Sequence, residues 1–110
     1  MRSLFDEMVE CRSINECIEL ALVDAYGDEG QAVAWLTCIE EMFGRFKQVE
    51  LMGRQVTLDG FDLAQGSVIV AVCKEGKKSA RVAIESVKFH GMTPIESRWL
   101  KAWKKFSRTA

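Results

Sequence analysis

The fold is decided by Val68-Ile69-Val70-Ala71-Val72-Cys73, a run rich in β-branched residues that predicts a central β-strand. The charged, glycine-containing segment 74–78 predicts a hairpin loop after it. Upstream, the apolar residues recur with a period of two, and Asp59-Gly60 is a turn signal. The middle of the chain therefore predicts short antiparallel strands at 46–51, 55–58, 68–73 and 79–84.

Capping signals predict helices on both sides of these strands. Ser13-Ile14-Asn15-Glu16 has the form of a capping box, and Gly27 stands where a left-handed C-terminal cap belongs. Asp28 and Gln31 predict the start of a second helix, and Thr93-Pro94-Ile95-Glu96 predicts the start of the last one. We expect helices at 14–26, 28–43 and 93–107.

This order of elements indicates a single domain of 110 residues with an antiparallel α+β fold. Because an open sheet this small leaves both edges unpaired, we expect a small antiparallel SH3-like β-barrel with two N-terminal helices and one C-terminal helix. The predicted parts are an N-terminal extension, a helical corner, a short-stranded barrel and a terminal helix, at 1–12, 13–43, 45–89 and 93–107.

The net charge of −1 conceals a division along the chain. Residues 1–41, the acidic half, carry ten acids and two bases, which gives −8. Residues 42–110, the basic half, carry thirteen bases and six acids, which gives +7. We expect part of this charge to be internal attraction between an acidic helical layer and a basic sheet, and the remainder to attract a cation or a charged partner.

Catalytic and zinc-binding patterns are absent from the sequence. The four cysteines form no C-x-x-C, and His90 is the only histidine. The glycines form no phosphate-binding motif. The sequence therefore predicts a protein that is not an enzyme, with cysteines that are reduced and buried as small hydrophobes: Cys11, Cys17, Cys38 and Cys73.

No apolar run approaches the roughly 20 residues that cross a bilayer, and the first residues lack the apolar segment of a signal peptide. We therefore expect a cytoplasmic protein with no membrane contact.

Acidic residues near predicted turns are candidate ligands for calcium, which takes six to eight oxygen ligands in irregular geometry. The first group surrounds Gly27, the second is a pair at the end of the second helix, and the third lies in the sheet loops (Glu50, Asp59 and Asp62). None has the ligand spacing of an EF-hand. Each group also has a structural interpretation as helix caps or turn residues. The candidate metal ligands are Asp24, Asp28, Glu29, Glu40 and Glu41.

A family resemblance points the same way. The segment from Asp24 to Trp35, the acidic pair after it and the step Phe43-Gly44-Arg45-Phe46 resemble the opening of the cyanobacterial calcium-binding protein family (CcbP-like). The strands at 68–73 and 81–84 and the tryptophan-bearing end agree in order, so the similarity covers about residues 16–106. The resemblance implies an SH3-like barrel flanked by helices and a calcium-binding role in the cytosol. The family typically has a proline between the two aromatics, where this chain has Gly44-Arg45.

Two other functions remain open from the residues alone. The first is a protein-interaction module that docks a partner through the barrel or the basic terminal helix, with Trp99 and Trp103 as anchors, because large aromatics dominate interface energetics. The second is nucleic-acid binding, which ranks last because the strands offer few aromatics for base stacking. The bases concerned are Arg45, Lys47, Arg54, Lys74, Lys77, Lys78, Arg81 and Lys88.

Overall fold

The structure, a computed structural model, describes residues 2–65 and 68–109. The α-helices are α1 (Leu4–Met8), α2 (Ile14–Leu22), α3 (Gly27–Phe43) and α4 (Pro94–Thr109). The strands are β1 (Gln48–Leu51), β2 (Arg54–Ala64), β3 (Val68–Glu75), β4 (Lys78–Ala83) and β5 (Val87–Lys88). A single turn of 3₁₀-helix, Ile84–Ser86, joins β4 to β5.

The strands form one open sheet in the order β4-β3-β2-β1-β5, and each neighbouring pair is antiparallel. The α+β class and the antiparallel sheet are thus confirmed, and residues 2–65 and 68–109 contain four α-helices instead of the expected three. Across the described strands, β4 and β5 stand at opposite edges, so the pairing does not show a closed barrel.

The turn predicted at Asp59-Gly60 is wrong. These residues lie inside β2, where the register with β3 shifts between Leu58 and Gly60. This register shift is a β-bulge. Gly60 accommodates it with a φ of 142°, a conformation that glycine adopts without a Cβ penalty. The tight turn lies earlier, at Met52-Gly53, where φ values of 52° and 81° suit a two-residue hairpin between β1 and β2.

The N-terminal helices also differ from the prediction. Part of the expected extension is α1, which begins at a capping box between Ser3 and Asp6. Helix α2 is capped by Ser13 as predicted but ends at Leu22. Helix α3 already begins at Gly27, which takes a φ of 71°, so the residue that precedes it occupies the N-cap and Asp28 lies inside the first turn.

The start of α4 is as predicted. The Glu96 amide donates to Thr93 Oγ1 at 3.2 Å, and the Thr93 amide donates to Glu96 Oε1 at 2.8 Å, which completes the capping box. Glu96 is only 4% exposed and also binds Arg45, whose Nε lies 2.6 Å from one carboxylate oxygen and whose Nη2 lies 2.7 Å from the other. The Arg45 guanidinium also donates to the Gly91 carbonyl at 2.9 Å, so the end of α3 is tied to the start of α4.

The core lies where α3 meets the sheet and the other helices. Helix α3 contacts β2 and β3 on one side, and α1, α2 and α4 on others. Its Trp35 is fully buried and packs against two tryptophans and a phenylalanine of α4, with ring centroids 5.3 to 6.0 Å apart. A second aromatic group, Phe43, Phe46, Phe61 and Phe89, covers the junction of α3 and the sheet. Within the described part of the chain, no helix has both the length and the apolar character that a membrane crossing requires.

Candidate functional site

The five predicted calcium ligands are all exposed, and four of them lie on α3 as two pairs near its opposite ends. Asp24 lies in the corner before α3, Asp28 and Glu29 lie in its first turn, and Glu40 and Glu41 lie near its end. Since a helix rises 1.5 Å per residue, the two pairs on α3 are about 18 Å apart. One ion can therefore contact only one of the pairs. In residues 2–65 and 68–109, no group of three or more histidine, cysteine or acidic side chains is placed to hold a metal ion.

The two predicted partner anchors, Trp99 and Trp103, lie in the core. Trp99 is fully buried, and its Nε1 donates to the Met8 carbonyl at 3.0 Å. Trp103 is 4% exposed, and its Nε1 donates to Glu85 Oε1 at 2.8 Å. Both rings are therefore packing residues that hold α4 against α3, and neither presents a surface to a partner in this structure.

The helical side instead carries an apolar groove of about 510 Å³. Helix α3 contributes small side chains that leave room above its outer face, among them Gly30, Ala34 and Thr37. The rest of the lining comes from Leu4 of α1 and from the end of α2 with the corner that follows it. We call this space the apolar groove; its lining residues are Leu4, Leu20, Ala21, Val23, Asp24, Ala25, Tyr26, Gly30, Val33, Ala34, Thr37 and Cys38.

Three large apolar side chains of the groove remain in water. Val23 is 68% exposed, Tyr26 is 84% exposed and Val33 is 52% exposed. Isolated exposed apolar residues need no explanation, but several that line one concave surface are typical of an interaction site. Phe5 and Val9, at the two ends of neighbouring α1, are exposed as well.

Acidic side chains border this groove. Asp24 lines it directly. Glu41 follows Thr37 by four residues, and Glu29 precedes Val33 by four, so each lies one turn along the same helical face. Three of the five predicted calcium ligands are thus associated with the apolar groove: Asp24 in its lining, and Glu29 and Glu41 one helical turn beyond Val33 and Thr37.

A second concavity, of about 570 Å³, opens between α1 and α2. Its lining includes four glutamates and a single base, Arg2, which forms a salt bridge with Glu10. Leu20 and Val23 line both spaces, so the two are adjacent. We call it the acidic cleft; its residues are Arg2, Glu7, Glu10, Cys11, Glu16, Glu19, Leu20 and Val23.

We expected ion pairs between the acidic helical layer and the basic sheet, but the salt bridges among the described residues join partners within the same half of the chain. The salt bridges of the basic half join its bases to acids of that same half. Arg98 and Lys105 of α4 reach towards α2, but the first donates to the Cys11 carbonyl at 2.6 Å and the second to Asn15 Oδ1 at 2.8 Å. Both contacts lie near the beginning of α2, whereas the groove is lined by its end. The groove therefore keeps an acidic character, whereas Arg98 lies at the Cys11 end of the acidic cleft.

The same salt bridges occupy several bases that the nucleic-acid hypothesis would need. Arg54 pairs with Glu75 at 3.2 Å, and Lys74 pairs with Asp59 at 3.2 Å. The remaining pairs are Arg45–Glu96, Arg81–Asp62 and Lys88–Glu50.

The cysteine thiols are in unreactive surroundings. The four cysteines are buried free thiols. Desolvation raises the pKa of Cys17 and of Cys38 to about 12, which leaves very little of the nucleophilic thiolate at neutral pH. The His90 ring is exposed, with Nε2 2.9 Å from Glu50 Oε1.

The sequence contains one signal for the groove. Val33 and Trp35 are both apolar residues of α3, but two residues of helix turn Val33 about 200° away from Trp35, which faces the core. Alanine, valine and threonine on the face opposite a buried tryptophan indicate a second, outer contact surface.

Searches of protein-family models, curated proteins and solved structures find no match to this chain. The resemblance to the calcium-binding family and the calcium site itself stay predictions.

Proposed function

We propose that this protein is a non-enzymatic interaction module that binds a basic, amphipathic helical segment of a partner protein in the apolar groove. The observation that carries the proposal is the exposure of Val23, Tyr26 and Val33 around one concavity on the helical side. A groove between helices is a common receptor for an amphipathic helix, which inserts anchors spaced at i, i+3, i+4 and i+7.

The size of the groove fits such a ligand. The α3 part of its lining runs from Gly30 to Cys38, which is about 12 Å of helix axis. Two turns of a partner helix cover the same length and present three or four apolar anchors.

The acidic residues of the groove favour a partner whose polar residues are basic. Asp24 lines the groove, and Glu29 and Glu41 extend it at its two ends. Lysine or arginine on the partner would meet these carboxylates, whereas acidic segments would be repelled. Burial of a few apolar anchors, offset by the cost of association, leads us to expect an affinity of about 1–100 μM.

We also infer that the sheet is a small SH3-like barrel. The strand order brings the last strand beside the first, and the bulge at Asp59-Gly60 gives β2 the bend that closure of a small sheet needs. Amide-to-amide nuclear Overhauser effects between the two edge strands, β4 and β5, would support closure, and their absence in a fully assigned spectrum would refute it. This architecture does not by itself assign a function.

The experiment is a selection followed by a binding measurement. A display library of random 16-residue peptides is selected against the protein, and we expect the enriched peptides to combine lysine or arginine with leucine, isoleucine or phenylalanine at helical spacing. Enriched peptides are then titrated by fluorescence anisotropy against the wild type, Val33→Gln and the matched control Val68→Gln, since Val68 is an exposed valine of β3.

We expect Val33→Gln to weaken binding at least fivefold and Val68→Gln to leave it unchanged. Enrichment of no peptide, or equal weakening by the two variants, would refute the proposal. A calcium titration followed by NMR tests the calcium site independently. If the protein binds calcium there, 1 mM calcium should shift the amide resonances of Asp24, Asp28 and Glu29, whereas peptide binding in the groove requires no calcium.

A further inference from the structure

The apolar groove lies directly beside the acidic cleft. Leu20 and Val23 form part of its lining and part of the lining of the acidic cleft. A segment about 16 residues long would lie over both spaces if it were helical, because its length would be about 24 Å.

The two spaces differ in chemistry. Asp24 is the one acid in the lining of the groove, whereas the cleft has four glutamates against Arg2. Arg2 forms a salt bridge with Glu10 and donates to the Asp6 carbonyl at 3.4 Å, so its charge is directed to one side of the cleft. Among the described residues, the carboxylates of Glu7, Glu16 and Glu19 have no ion-pair partner, and they remain exposed to an incoming cation.

Helix α2 adds to the negative potential at the place where the spaces join. It ends at Leu22, with Val23 as its C-cap, and its last turn contains no basic residue. The carbonyl groups at a helix C-terminus carry a partial negative charge that favours cations, and here no side chain of α2 offsets it.

We propose that the two spaces form one bipartite site, in which the acidic cleft binds a block of lysines or arginines and the apolar groove binds the adjoining apolar turns of the same partner helix. This inference rests on the proposed function and specifies the partner: its charges are segregated at one end and not distributed along the helix. The cleft supplies selectivity for that arrangement, and the groove supplies most of the buried area.

The test compares two 16-residue peptides of identical composition, each with four lysines and four leucines at i, i+3, i+4 and i+7. One has the lysines in a block next to the leucine turns, made in both polarities, and the other has them distributed. Binding is measured by fluorescence anisotropy at 50 mM and 300 mM salt with the wild type, the cleft variant Glu7→Gln/Glu19→Gln and the control Asp59→Asn/Glu75→Gln, whose two acids are exposed ion-pair members in the sheet.

We expect the wild type to bind the better block peptide about fivefold more tightly than the distributed one at 50 mM salt, since two exposed charge contacts contribute about that factor. The preference should fall at 300 mM salt, disappear in the cleft variant and persist in the control. A wild type without preference, or a preference unchanged in the cleft variant, would overturn the inference while leaving the groove proposal standing if Val33→Gln still weakens both peptides. Failure of both peptides to bind would overturn both.

Discussion

Substitution of Glu96 by glutamine tests how the chain ties its two helical regions together. The carboxylate is 4% exposed and accepts three hydrogen bonds, two from Arg45 at 2.6 and 2.7 Å and one from the Thr93 amide at 2.8 Å. Glutamine keeps the shape and one acceptor oxygen but removes the charge.

The magnitude follows from these contacts. Net contributions of hydrogen bonds to a charged group are about 1.5–3 kcal/mol each, but the Arg45 side chain is half-exposed and regains water, and glutamine retains part of the network. We therefore expect Glu96→Gln to lower the free energy of unfolding by about 2 kcal/mol at pH 7. For a chain of this length that corresponds to a decrease of about 8 °C in Tm.

The pH dependence gives a second readout. Hydrogen bonds from Arg45 hold the pKa of Glu96 below its ordinary value. A lowered folded-state pKa contributes stability that is fully present above the unfolded-state pKa of about 4.3, and that is lost as the pH falls through the folded value. The difference between wild type and Glu96→Gln should therefore be constant from pH 6 to 7 and shrink below pH 4.

The assay is urea unfolding followed by circular dichroism at several pH values. The control is Glu75→Gln, which breaks the exposed salt bridge to Arg54 and should cost under about 0.5 kcal/mol. An effect of Glu96→Gln no larger than that of the control, or one that does not shrink in acid, would refute the reasoning.

Further predictions concern the backbone, the thiols and the core. Gly27→Ala should lower stability by about 1 kcal/mol because its φ is 71°, whereas Gly30→Ala, which meets no atom closer than 4.0 Å, should raise it by about 0.5–1 kcal/mol; chemical unfolding of both variants checks the opposite signs. Desolvation raises the pKa of Cys17 and Cys38 to about 12, so iodoacetamide at pH 8 should label these thiols only after urea unfolds the protein, and labelling of the native protein at the rate of a free thiol would contradict their burial. Trp99→Phe should cost about 2–3 kcal/mol, because it removes buried volume and one of the two hydrogen bonds that the Met8 carbonyl accepts; a cost below 1 kcal/mol in urea unfolding would show that the contact to α1 does not form.

Local signals predicted the elements that are encoded locally. The β-branched run of β3 and the capping box of α4 each indicate one structure strongly, and both formed where expected. Asp59-Gly60 is compatible with either a turn or a bulge, and only the pairing of β2 with β3 decides between them. Helix α1 has only five residues and depends on tertiary contacts such as the burial of Met8, so the local sequence did not predict that this segment is helical.

The candidate site was predicted in its charges but not in its shape. Asp24, Glu29 and Glu41 were singled out as acids, and the structure places them around one surface. The groove between them depends on how α1 and α2 pack on α3, which no periodicity encodes. Helical spacing indicated that Trp99 shares an apolar face, but its burial depends on contact with Trp35, which lies 64 positions earlier in the chain.

The most direct measurement is a titration of ¹⁵N-labelled protein with the tightest block peptide, followed by two-dimensional NMR. We expect the largest and saturable shifts at Val23, Val33 and Ala34, with smaller shifts at Glu7 and Glu19, and we expect Val33→Gln to abolish them at the same peptide concentration. Shifts confined to the β3–β4 hairpin, or none at millimolar peptide, would contradict the assignment of the helical groove as the binding surface.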